Sequence, residues 1–117
     1  MLVGVDIKKR IEYVSPKDSD PKTVFVLKPM TGSEMIDLSM LSNGKEIKLS
    51  REYINILLER SIVEIRDFKS SNGEVVNTSE KEKIKLVMDE IPVMVLGDLA
   101  LEITRINGLT EDDKKNS

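Results

Sequence analysis

The sequence predicts a single α+β domain, with two β-hairpins and about four helices packed on one face of the strands. Three observations point there. Residues 23–28 and 62–68 are β-branched, strand-like runs; an Asn-Gly pair follows the second run; and four segments space their apolar residues at three and four. The domain is expected to span residues 1–109, and residues 110–117 form a charged, flexible tail.

Residues 7–14 place Ile11 and Tyr13 in alternation with charged residues, the pattern of a half-exposed strand. Residues 15–22 hold two prolines and read as a turn-rich loop. Residues 23–28 are apolar on both faces, so this strand should be buried, and Pro29 stops it because proline cannot donate to a ladder. The two strands form the first hairpin. Thr31 and Glu34 fit a capping box at the start of a short apolar helix, which Ser42-Asn43-Gly44 ends. Ser50 is the expected cap of a second helix, residues 51–60, whose stripe is Tyr53, Ile54, Leu57 and Leu58.

Residues 62–68 alternate Val63 and Ile65 with Glu64 and Arg66. The Asn72-Gly73 pair then predicts a type I′ hairpin turn, with positive φ at both central residues. Ser79 and Glu82 form a second capping-box pattern before a charged helix that runs to about Asp89. Pro92 breaks this region and starts a separate helix. In that last helix Val93, Leu96, Leu99, Ala100, Ile103 and Ile106 share one stripe, with Asp98, Glu102 and Arg105 opposite. Val95 and Leu101 widen the apolar surface. Gly97 in mid-helix permits either close packing or a kink, and Asn107-Gly108 is the expected stop.

Composition excludes much chemistry. The 117 residues contain no Cys and no His, so thiolate sites, cysteine nucleophiles and the commonest general base are out. Aromatics are only Phe25, Phe68, Tyr13 and Tyr53, which leaves an aliphatic core. Charged residues make up 33% but nearly cancel, at a net −3. A balanced charge with few aromatics argues against nucleic acid as a partner. No run approaches the roughly 20 apolar residues of a membrane span, so a membrane partner is not expected.

The acidic runs at Asp18 and Asp20, and at Glu111-Asp112-Asp113, lack the alternating ligands and glycine of an EF-hand loop and read as solvated segments. No metal, cofactor or catalytic residue is assigned. The basic runs Lys8-Lys9-Arg10 and Lys81, Lys83, Lys85 have acidic neighbours close by. Met30, Met35, Met40, Met88 and Met94 suit either an adaptable surface or an aliphatic core, and core filling is the favoured reading.

Two segments resemble a phage family: IEYVSPKDSDPKTVFVLKPMTGSE at residues 11–34, and IPVMVLGDLALEITRINGLTEDDKKNS at residues 91–117. In texture and order they are similar to the tail assembly chaperones of long-tailed phages. The resemblance covers about half the chain and includes no compact site motif. It implies a non-enzymatic protein of the host cytoplasm that keeps the tape measure protein soluble. It further implies recruitment of the tail tube protein, self-association and a longer frameshifted form. The alternative is a structural virion component, such as a head–tail connector or tail subunit. On the chaperone reading the expected interaction surface is the last helix, through Val93, Leu96, Leu99, Ala100 and Ile103.

Overall fold

The chain order is two strands, two helices, two strands, two helices. The computed structural model describes residues 1–42 and 51–107. In it, β1 (Ile11–Tyr13) and β2 (Val24–Leu27) precede α1 (Gly32–Ser42) and α2 (Arg51–Ser61). Then come β3 (Ile62–Lys69), β4 (Val75–Thr78), α3 (Lys81–Glu90) and α4 (Val93–Ile106). The Gly44 stop, the Ser50 cap, Gly108 and the tail at residues 110–117 lie outside the described residues.

The two hairpins form, and they join. β2 pairs antiparallel with β3, so one four-stranded antiparallel sheet runs in the order β1-β2-β3-β4. The fold is α+β, as expected. One face of the sheet supplies Phe25, Leu27 and Ile65 to the core, with Ile11, Tyr13, Phe68 and Val76 packed at its margin. All four helices contribute to the same core, through Leu38, Tyr53, Leu57, Leu58, Ile84, Val87, Leu99, Ala100 and Ile103. Aliphatic burial of this kind is the main favourable term in folding.

The opposite sheet face is charged. Val26 lies in register between Glu12 and Glu64. The Arg66 guanidinium reaches Glu64 at 2.7 Å and Glu12, across β2, at 2.8 Å. Val26 is buried on this face, although it stands outside the core cluster. Its apolar character on both sides of β2 therefore has two separate causes, core on one side and an ion-paired clasp on the other.

The first capping box is present. The Glu34 N–H donates to Thr31 Oγ1 at 3.2 Å, and the Thr31 N–H donates to Glu34 Oε1 at 2.9 Å. Lys28 adds an ion pair to Glu34 at 3.3 Å. Burial works to raise the Glu34 carboxyl, but the Thr31 N–H and the Lys28 ammonium outweigh it and hold the group below its ordinary value. A carboxyl depressed in the folded state stabilises above its unfolded pKa, and that contribution is lost as pH falls through the folded value. Glu34→Ala should therefore cost about 1 kcal/mol at neutral pH, and its deficit against the parent should shrink on acidification. Urea denaturation of both chains at neutral and acid pH measures this.

Four local expectations need correction. β1 begins at Ile11, four residues later than residue 7. The Asp6 carboxylate accepts the Lys8 N–H at 3.0 Å, and the Asp6 carbonyl accepts the Lys9 N–H at 3.2 Å. This side-chain-stabilised turn competes with the ladder. The 70–74 turn is not type I′. The Gly73 N–H bonds the Ser70 carbonyl, the Ser70 N–H bonds the Glu74 carbonyl, and only Gly73 has positive φ, at 90°. That is the longer hairpin loop with a left-handed glycine after the turn. Asn72 Oδ1 meanwhile accepts the Glu74 N–H at 3.0 Å, a role that does not require positive φ.

The second capping box does not form. Glu80 is the N-cap of α3 and makes no side-chain cap. Its own N–H is held by Thr78 Oγ1 at 3.1 Å. Finally, Val93 is exposed rather than part of the buried stripe of α4.

The register between β3 and β4 slips between Ile65 and Phe68. Asp67 sits in this bulge with φ 57°, its N–H bonded to Asn77 Oδ1 at 3.0 Å and its carbonyl accepting Thr23 Oγ1–H at 3.0 Å. Aspartate tolerates the left-handed conformation better than most residues with a Cβ.

Candidate interaction surface

The final helix carries three faces. Pro92 is its N-cap, with the Pro92 carbonyl accepting the N–H groups of Val95 and Leu96. The core face is Leu99, Ala100 and Ile103, all essentially inaccessible, with Val95, Leu96 and Ile106 packed beside them. Of the five residues expected to form an interaction surface, then, the structure buries Leu99, Ala100 and Ile103 in their own domain. Leu96 is half-buried and Val93 is open to solvent.

The charged face meets the first hairpin. Lys17 Nζ pairs with Asp98 Oδ2 at 2.8 Å. Burial pushes the Tyr13 phenol up, and the Asp98 and Glu102 carboxylates push it further. Arg105 pairs with Glu102 one turn away. The Lys17–Asp98 pair therefore docks the helix against the β1–β2 loop.

The third face is apolar and outward. Val93, Met94 and Leu101 are 78%, 63% and 57% exposed, and Gly97 lies among them. Residues 94, 97 and 101 follow the three/four spacing of one helical stripe. A Cβ built on Gly97 would meet nothing within 4 Å. α4 continues through this glycine from Val93 to Ile106, and among the described residues nothing packs closely on it. The signal for this face was present in the sequence as the widening residue Leu101. The charged residues beside it obscured the signal.

The methionines divide between both readings. Met30 is buried, Met35 and Met88 pack at the core margin, and Met40 and Met94 are exposed.

In the acidic loop at residues 15–22, Asp18 has backbone partners. Asp18 accepts the N–H groups of Ser19 at 2.9 Å and Thr23 at 2.7 Å, so its carboxylate orders the loop. Among the described residues, no three acidic side chains converge in a way that would hold a metal ion. Among the same residues, no helix is long and apolar enough to cross a membrane.

Comparison of the chain with protein-family models, with curated proteins and with solved structures gives no match, so the functional reading rests on the outward face of α4 and on the sequence.

Proposed function

We propose that this chain is a non-enzymatic interaction protein that acts as a phage tail assembly chaperone in the host cytoplasm. Its client is the tape measure protein, and the tail tube protein is a second partner. The observation that carries the reading is the outward apolar face of α4, Val93, Met94, Gly97 and Leu101, which the core leaves unused. A contiguous apolar stripe rimmed by charge fits an amphipathic client helix, with affinity coming from buried aliphatic area. Gly97 lets a client backbone approach closely along that stripe.

Co-expression of the chain with a tape measure protein tests this. The parent chain should raise the soluble fraction of the client. A Met94→Asp/Leu101→Asp variant should lose that effect while keeping its own fold. No gain in client solubility with the parent chain would sink the proposal. Recovery of the protein at fixed stoichiometry in purified virions would favour a structural component instead.

Gly97→Ala separates folding from binding. It removes a mid-helix glycine without a steric clash, so stability should rise by about 0.5–1 kcal/mol in urea or thermal denaturation. The added methyl stands on the client face, so the same variant should solubilise the client less well. A variant that is more stable and equally active would show that close approach at Gly97 is not used.

A further inference from the structure

The outward face of α4 carries a methionine thioether. Met94 is exposed there, one turn before Gly97 and two turns before Leu101. The 117 residues hold no Cys and no Trp, so the thioethers are the groups most open to mild oxidation.

Accessibility sorts the methionines. Met30 is 1% exposed, and Met35 and Met88 pack against the core. Met1 and Met40 are as open as Met94, but they lie outside α4, Met40 on α1. Met94 is thus the accessible thioether of the face formed by Val93, Met94, Gly97 and Leu101. It stands outside the core cluster, so changing its chemistry leaves the core packing in place.

Hydrogen peroxide is the oxidant such a group meets. The sulfur lone pair attacks one peroxide oxygen, the O–O bond breaks and an S–O bond forms. The transferred hydroxyl gives its proton to the departing hydroxide. Sulfur loses two electrons and the peroxide leaves as water. The flexible apolar side chain becomes a polar, chiral sulfoxide. Val93, Gly97 and Leu101 offer this oxygen no side-chain donor, so covering the face with an apolar partner would desolvate it without compensation.

We propose that Met94 is a reversible oxidation site that sets the polarity of the outward face of α4. Peroxide closes the face to an apolar partner, and methionine sulfoxide reductase, using a dithiol as reductant, restores it. The loss of client binding rests on the reading of α4 given above, whereas the site and its change in polarity do not.

The test treats the purified full chain with hydrogen peroxide and follows it by peptide mass mapping and hydrophobic-interaction chromatography. Met40→Leu leaves Met94 as the open thioether of the helices, and Met40→Leu/Met94→Leu removes both. Leucine conserves apolar volume, so both variants should fold, as circular dichroism would verify. Met94 should gain oxygen well before Met30. Oxidation should shorten the retention of Met40→Leu more than that of the double variant, and the reductase should reverse the difference. Unfolded tape measure protein diluted into each chain supplies the functional readout. Oxidised Met40→Leu should bind this client about tenfold more weakly or worse than its reduced form, and the double variant should be unaffected. Oxidation of Met94 no faster than Met30, equal retention shifts in the two variants, or full client binding with Met94 oxidised would overturn the proposal. A reduced parent that fails to hold the client in solution would count against the chaperone reading instead, and the mass and retention results would still decide the oxidation site.

Discussion

The Leu99→Ala variant is expected to lose about 2–5 kcal/mol of stability. Leu99 is fully buried on α4, in the cluster that also holds Leu57 and Leu58 of α2 and Ile65 of β3. Truncation removes the transfer free energy of the side chain. It also leaves a cavity that the surrounding helices and sheet can only partly close. Marginally stable domains have only about 5–15 kcal/mol in reserve, so this single change removes a large share of it. Leu101→Ala on the same helix is the control. Its side chain is 57% exposed, and the effect should stay within about 0.5 kcal/mol. Urea denaturation of both variants reads the difference. Similar losses at the two positions would contradict the assignment of inward and outward faces of α4. The pair also bears on function, because a client-binding defect in Leu101→Ala would occur in a folded chain.

Asn107→Ala should cost about 1–3 kcal/mol by leaving a buried donor unsatisfied. Asn107 ends α4 and joins it to a distant segment. Its Nδ2 donates to the Ile103 carbonyl at 2.8 Å, and its Oδ1 accepts the Met30 N–H at 2.8 Å. Met30 is buried after Pro29, where β2 has ended and α1 has not begun. Its N–H has left the ladder and lies before the helix, so Asn107 supplies its partner. The alanine variant removes that acceptor and the capping donor together. Asn107→Asp keeps an acceptor for Met30 while losing the donor to Ile103, so it should fall between the parent and Asn107→Ala. Hydrogen exchange at the Met30 amide gives a second readout. Protection there should drop in Asn107→Ala and be partly retained in Asn107→Asp. Unchanged protection in Asn107→Ala would show that the amide has another partner.

Local signals were legible where both partners lie within a few residues. Thr31 and Glu34 are three apart, and their reciprocal bonds form as the spacing predicts. Pro92 separates α3 from α4, and residues 24–27 are a buried strand. The same type of signal misled at Ser79 and Glu82, because Thr78, at the end of β4, captures the Glu80 N–H and α3 starts after Glu80. Asn72-Gly73 marked the hairpin correctly but not its turn type. The choice there depends on the bonds of Ser70 and on Glu90, whose carboxylate accepts the Ser71 N–H at 2.8 Å from the end of α3.

The candidate surface was legible only in part. The three/four pattern showed that α4 is apolar over a wide arc. It did not show which side of the arc would be covered. Burial of Leu99, Ala100 and Ile103 against α2 and the sheet turned Met94, Gly97 and Leu101 outward.

The sequence by itself determined the α+β class, most element boundaries and the aliphatic core, because these follow from local spacing, capping and composition. Only the tertiary structure decided that the two hairpins share one sheet through β2 and β3. It alone brought Asn107 to Met30 and Arg66 across to Glu12. Each of those contacts joins residues more than thirty positions apart. A linear pattern holds no information about which of many chemically similar partners will meet once the chain has packed.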